Sequence, residues 1–365
     1  MNSTQEGGIR PSIGNGRAKP VTLKALAQHL NLSPSTVSVV LNHKPVGESI
    51  ADRTRERIFA AAREFGYRPN HVARSLRAQR SWSIGVLLPV VSGHYASGVM
   101  GGLEEHLHDA GFFCLVSSHR SRPELTSKYV HHLQDRQVEG MVLIAAPITE
   151  APPLPTVAVA GHLPLPGVTN VVIDHDHAAR LALGHLREKG HRKIAFFKGN
   201  PGSTDTEDRW RAICEVAREL EIEVRSELTL NLVDGGGSRA SFSPREGYEE
   251  GYSCGQRLLD TGVDFTALFA FNDISAIGAI RAFQGAGRSV PEDVSVVGFD
   301  DIYHAAFQNP SLTTVRQPLH EMGMTAGRTL LRLVGGEDDA ARPGARITVK
   351  PDLAIRDSTA VARGA

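Results

Sequence analysis

The chain has 365 residues, enough for two or three domains, and 41% of them are hydrophobic, which supplies a sizeable core and excludes wholesale disorder. No apolar run approaches the ~18 residues of a membrane span, the N-terminus lacks a signal pattern, and Cys114, Cys214 and Cys254 are too scattered for a disulfide frame or a zinc site. A cytoplasmic protein with no membrane partner is expected. The 40 Lys+Arg and 40 Asp+Glu cancel, which at first argues against a nucleic-acid partner. Residues 1–81 nevertheless hold 13 basic and 5 acidic residues, a net of +8, and the remainder holds 27 and 35, a net of −8. That segregation suggests a basic nucleic-acid module joined to an acidic globular body.

Residues 1–20 are rich in Gly, Pro and Ser without periodicity and read as a disordered arm. Thr22 is a good N-cap for a helix in which Leu23, Leu26, Ala27 and Leu30 share one face. Asn31 tolerates the left-handed turn that follows. Ser33-Pro34 opens a second helix, with Pro at its first position. There Val37, Val40 and Leu41 face inward, while Ser35, Thr36, Ser38 and Val39 can point outward. Two short helices joined this way form a helix-turn-helix whose second helix presents its N-terminal side chains to base edges in the major groove. A third helix near 52–65 carries Arg53, Arg55, Arg57 and Arg63 outside a stripe of Ile58, Ala61, Ala62 and Phe65, which suits phosphate contacts. The competing reading is an ordinary three-helix bundle with a solvated basic face.

From Ser83 the pattern changes. Apolar runs at 84–88, 113–116, 141–144, 156–159, 171–173, 194–197, 267–270 and 294–299 alternate with helical stretches, which predicts parallel α/β sheets. About 280 residues exceed one small sheet and suggest two lobes. The stretch 234–244, DGGGSRASFSP, reads as a flexible surface loop.

The segments ALAQHLNLSPSTVSVVLN, TRERIFAAAREFGYRPNHVARSLR and SIGVLLP together resemble the lactose/galactose-repressor family of bacterial transcription regulators, and the resemblance runs from Val21 to about Thr359. It implies an N-terminal all-α helix-turn-helix domain (21–69), a hinge helix and linker (70–81), and an α/β periplasmic-binding-protein-like body of two doubly wound lobes (82–365). One lobe would comprise about 82–172 and 308–332, the other about 173–307 and 333–359. The implied hinge helices of a homodimer sit in the minor groove of palindromic double-stranded operator DNA, with Leu76 as the apolar wedge, Ala73 allowing close approach and Asn70 in register with both. The helix-turn-helix contacts would come from Thr22, Ser33, Pro34, Ser35, Thr36, Ser38, Val39 and Asn42. This chain departs from the family at Val39, where Arg is frequent; Val suits a thymine methyl. Its loop between Asn42 and Thr54 is about three residues longer than in the lactose repressor.

In the body, Phe271-Asn272-Asp273 follows a strand and opens a helix, Gly298-Phe299-Asp300-Asp301 ends a strand in two acids, and Pro310 to Pro318 resembles the family's last return between lobes, followed by Met322-Gly323. The resemblance implies that Asn272 and Asp300 hydrogen-bond hydroxyls of a small polar effector, most simply a sugar or derivative, and that Arg209 grips vicinal oxygens or a carboxylate. Tyr95 would lie over the ligand; Ala96 stands where some relatives carry a second aromatic ring, which disfavours a nucleobase. His175 and Asp176 lie near a crossing and are weaker candidates. Bland alternatives remain: Asp273 capping its helix, Asp300 bracing the next turn, Arg209 pairing with Asp205 or Asp208.

No enzymatic signature stands out: Gly-Lys is absent, Gly236-Gly237-Ser238-Arg239-Ala240 misses the nucleophile-elbow pattern, and no GxGxxG follows the first strand. The pairs His106/His108, His131/His132 and His175/His177 lack metal-ligand spacing, so neither a metal nor a cofactor is expected. A solute-binding or sugar-modifying protein with the same body is the alternative, and it leaves the basic head unexplained.

Overall fold

The computed structural model describes residues 21–42, 45–67, 75, 78–199, 204–232, 246–336 and 345–363. The arm, the 234–244 loop and the hinge positions Asn70, Ala73 and Leu76 lie outside them. The chain divides into two compact units, residues 1–80 and 81–365.

The first unit holds α1 (Leu23–Leu30), α2 (Pro34–Leu41) and α3 (Asp52–Glu64). Thr22 Oγ1 accepts the Ala25 N–H at 3.2 Å, and Asn31, at φ 56°, ends α1 in the left-handed conformation that the tight turn requires. Ser33 Oγ then accepts the Thr36 N–H at 3.0 Å, so both helix starts are capped by side chains the sequence marks for that purpose. Leu26, Ala27, Leu30, Val37, Val40, Ile58 and Ala61 form the core, as the helical spacing predicts. The longer loop forms a 3-10 turn, Pro45–Ser49, whose Gly47 packs on Val39: a Cβ on Gly47 would lie 3.2 Å from Val39 Cγ1.

The second unit contains two six-stranded sheets. The first is built from β1 (Ser83–Leu88), β2 (Phe113–Ser118), β3 (Gly140–Ile144), β4 (Thr156–Val159), β5 (Val168–Ile173) and β11 (Arg346–Val349), in the order 2-1-3-4-5-11. The second contains β6 (Ile194–Lys198), β7 (Thr229–Asn231), β8 (Ala267–Phe269), β9 (Ser295–Asp300), β10 (Thr313–Arg316) and β12 (Asp352–Ala354), in the order 7-6-8-9-10-12. Every described pairing is parallel except β10 with β12. Strands β3, β4, β5 and β9 are buried along their whole length, hence the continuous apolar runs. Strand β2 differs: it is a sheet edge, and its Phe113 is 68% exposed despite lying in one of those runs.

Helices α4 (His94–Asp109), α5 (Pro123–Asp135), α6 (His175–Glu188), α7 (Thr204–Glu219), α8 (Glu246–Asp260), α9 (Asp273–Gly285), α10 (Tyr303–Phe307) and α11 (Leu319–Val334) connect the strands. Helices α4 and α11 touch backbone to backbone: a Cβ on Gly323 would lie 2.0 Å from the Val99 carbonyl oxygen, and one on Gly102 1.9 Å from that of His320.

The lobe boundaries expected from sequence need correction. Strand β10 pairs with β9, Thr313 opposite Val297, so 308–316 stays in the second lobe and the return occurs at Gln317-Pro318. The first lobe then keeps α11 and also β11, which pairs with β5. The chain re-enters the second lobe only at β12. Short apolar strands of either sheet look alike in sequence; only pairing assigns them.

Candidate functional site

In the head, Pro34 and Ser35 are exposed on the first turn of α2. Ser33 Oγ lies 2.7 Å from Ser35 Oγ and 2.8 Å from Thr36 Oγ1, so three hydroxyls cluster at that helix start. Such an end, with clustered hydroxyls and a positive partial charge, suits a phosphate oxygen. Ser38 and Asn42 bond each other instead: Asn42 Nδ2 donates to the Ser38 carbonyl at 2.7 Å. Val39 is half-buried beneath Gly47, which leaves less of it to meet a base than the sequence suggests. The four arginines of α3 also divide. Arg55 pairs with Asp52 at 2.5 Å and Arg57 donates to the Leu30 carbonyl at 3.4 Å, bracing the head; Arg53, Arg57 and Arg63 are all exposed.

In the body, sheet topology gathers the other candidates. Tyr95 follows β1, Arg209 lies on the helix after β6, Asn272 follows β8 and Asp300 ends β9. All four sit at or beyond carboxyl ends of parallel strands, and Tyr95, Arg209 and Asn272 follow strands where the order reverses, which is where open α/β sheets bind ligands.

Arg209 is the centre of this cluster. It is 6% exposed; its Nη1 donates to the Phe271 carbonyl at 2.6 Å and its Nη2 to Asp205 Oδ2 at 2.8 Å. The guanidinium lies between two rings, 3.8 Å from the Phe299 centroid and 4.3 Å from that of Phe271. Asp205 Oδ1 lies 3.3 Å from His162 Nε2, and His162 Nδ1 lies 2.8 Å from Asp208 Oδ2. His175 Nε2 is 3.2 Å from Asp205 Oδ1, close enough for an ion pair, and neither of its buried ring nitrogens makes a well-formed hydrogen bond. The Tyr95 hydroxyl, Arg209 Nε and Thr206 Oγ1 are buried and unpaired. Groups in this state cost free energy unless something else pairs them.

Asp300 is held by Gln317 Nε2, which donates to its Oδ1 at 2.6 Å. It adopts φ 114° and Asp301 adopts φ 56°, two successive residues in a conformation that L side chains resist. Asp301 secures this turn by accepting from Arg316 Nε at 2.6 Å and Arg356 Nη2 at 2.5 Å. Burial pushes the Asp300 carboxyl up to about 7, against the opposing pull of Arg209 and the Gln317 hydrogen bond. Burial also acts to raise Asp205, but Arg209, His162 and His175 outweigh it and hold that carboxylate well below the usual range. Burial, then the charges of Asp205 and Asp300, raise the Tyr95 phenol well above its ordinary value. Burial lowers His175.

Of the alternatives open at the sequence level, Arg209 does pair with Asp205. Asn272, rather than Asp273, caps α9: its Oδ1 accepts the Ser275 N–H at 2.9 Å. That engagement reduces what Asn272 can offer a ligand. Asp273 is fully buried, accepting from the Ile302 N–H at 2.8 Å and Thr314 Oγ1 at 2.5 Å, so it ties α9 to the turn after β9 and to β10. His175 enters the cluster, while Asp176 faces Arg211 at 3.6 Å. Sequence reasoning missed His162 and Gln317 altogether. Gln317 precedes a proline at the lobe crossing, a weak cue; His162 lies in an irregular loop after β4 and carried none.

Comparison with known proteins adds independent information. The family profile described as "Bacterial regulatory proteins, lacI family" matches residues 22–70, and that of the "Periplasmic binding protein-like domain" matches 183–359. A curated relative, the HTH-type transcriptional repressor PurR of Haemophilus influenzae, is 30% identical over 346 residues, covering 92% of this chain and 98% of its own. The Lac repressor dimer bound to operator and the anti-inducer ONPF matches with a TM-score of 0.77 and 26% identity, over 94% of this chain and 100% of its own. The transcriptional regulator CelR in complex with cellobiose matches with a TM-score of 0.65 and 26% identity, over 93% and 99%. Among the described residues no helix is long and apolar enough to cross a membrane.

Proposed function

The chain belongs to the lacI family of bacterial regulatory proteins, and from that premise we propose a cytoplasmic repressor that binds palindromic operator DNA as a homodimer and is controlled by a small polar effector, a sugar or sugar derivative, between the lobes. One observation carries the effector site: Tyr95 Oη, Arg209 Nε and Thr206 Oγ1 are all buried and unpaired. A polyhydroxylated ligand supplies donors and acceptors for such a set. Asp300 adds a carboxyl able to accept from a hydroxyl, or to donate when protonated. The cellobiose held by CelR supports a sugar class.

DNA reading rests on the first turn of α2, with Pro34 and Ser35 toward the bases, hydroxyls of Ser33 and Thr36 and the exposed Arg53 and Arg63 toward phosphates, and Thr22, Ser38, Val39 and Asn42 positioning that surface. Asn70, Ala73 and Leu76 form the minor-groove hinge. Effector binding changes the lobe arrangement and, through the hinge, operator affinity, an order–disorder switch. The operator-bound Lac repressor dimer and the exposed apolar Phe113 and Val116 on edge strand β2 support pairing of two chains. No catalytic role is assigned, and a solute-binding protein would leave the capped helix-turn-helix without a task.

The test uses a duplex selected by the full chain from a randomised palindromic pool. Leu76→Ala should weaken that duplex far more than non-specific DNA; equal losses on both remove the hinge assignment. Asp300→Ala should keep DNA binding and lose the response to whichever sugar shifts the wild type; an unchanged response removes the cleft assignment.

A further inference from the structure

Three side chains in the cleft meet for a reason that sugar recognition does not require. One donor atom from each of His162, His175 and Asp205 lies within 4.8 Å of the other two, and Asp205 Oδ1 is 3.2–3.3 Å from the Nε2 of both histidines. Tetrahedral coordination with ligand bonds near 2.0–2.2 Å places ligand atoms roughly 3.3–3.6 Å apart, so both His–Asp separations fit a shared ion with little movement. The histidine rings stand 5.2 Å apart and 30° from parallel.

We propose that His162, His175 and Asp205 bind a divalent transition-metal ion of the zinc class, with a fourth position left for water or an effector oxygen. The donor set of two imidazoles and one carboxylate is one that zinc accepts. Two further features single it out from a chance contact. His162 Nδ1 faces Asp208 Oδ2 at 2.8 Å, the outer carboxylate that orients a metal-bound imidazole and fixes its tautomer. His175, 4% exposed, has both ring nitrogens buried without a well-formed hydrogen bond, and its Nε2 sits 3.2 Å from Asp205 Oδ1; a shared ion completes what that contact leaves unsatisfied. Arg209 occupies Asp205 Oδ2, which orients the carboxylate and leaves Oδ1 to the histidines.

The placement gives the ion a structural consequence. His162 belongs to the loop between β4 and β5 in the first lobe, His175 opens α6 at the first crossing, and Asp205 lies on α7 in the second lobe. A bound ion is therefore a clasp between lobes, beside the effector groups.

The test is equilibrium dialysis of chelator-stripped full-length protein against zinc chloride, with metal counted by atomic emission in the absence of DNA and sugar, so its outcome is independent of the proposed effector. The wild type should hold one ion per chain at micromolar free zinc. His162→Gln should lose it, and Asp208→Asn should weaken it by about 10–100-fold. His131→Gln/His132→Gln, on the exposed face of α5, should bind as the wild type does. Cobalt(II) gives a second reading: a visible four-coordinate absorption band in the wild type, absent in folded His162→Gln as judged by circular dichroism. No stoichiometric zinc in the wild type, undiminished binding in His162→Gln, or loss in the α5 variant each overturns the site.

Discussion

Asn at position 300 should make the protein more stable while disabling its sensor, by an amount that depends on pH. Asp300 is 8% exposed, so solvent does little to relieve its charge. Its carboxyl titrates near 3.8 when unfolded and at about 7 when folded, about 3 units apart, or about 4 kcal/mol at most. Between those values the native chain binds the proton more tightly than the unfolded chain, so stability falls as pH rises through the window. The penalty is absent below pH 3.8 and complete above about 7. Asp300→Asn cannot ionise and keeps an oxygen to accept from Gln317 Nε2. Buried Asp273, raised by burial and by Asp300, titrates with it and is relieved in the same direction. Scanning calorimetry of both full-length proteins from pH 4.5 to 8.5, at one scan rate, should give melting temperatures that differ little at the acid end. They should diverge above neutrality in favour of the variant, by ~2–4 °C per kcal/mol. A difference that does not vary with pH, or a variant less stable at pH 8, refutes the reasoning. The more stable variant should respond poorly to effector, the usual trade at a site built for binding.

Arg209→Met should destabilise the body by about 3–5 kcal/mol in urea unfolding, because Asp205 is left buried without its cation; Arg209→Lys should recover only part, having no planar fork for both Phe271 and Asp205. Gly323→Ala should lower the melting temperature of the body sharply, since its methyl group would lie 2.0 Å from the Val99 carbonyl oxygen and α4 and α11 would have to separate. In the head, Asn31→Val should cost about 1–2 kcal/mol through its left-handed φ, read as faster amide exchange in α1 and α2, while Asn31→Gly should be nearly neutral. Ser33→Ala should cost about 1 kcal/mol by the same measurement.

Much of this protein is written locally. The caps Thr22 and Ser33, the turn at Asn31 and the helical spacing of the head's core are visible because each depends on residues three or four apart. Buried parallel strands show as apolar runs for the same reason. The two charges of the chain, +8 and −8, are legible once the sequence is divided at residue 81. Tertiary structure decided matters that depend on distant pairing. Strand β10 joins the second sheet and β11 the first because of their neighbours, not their composition. The loop turn at Gly47 covers Val39, eight positions earlier. The cluster around Arg209 is the sharpest case: Arg209 and Asp205 are one helical turn apart, but His162 reaches Asp205 across 43 positions of sequence. No periodicity links them; parallel strand order brings their loops to the same end of the molecule.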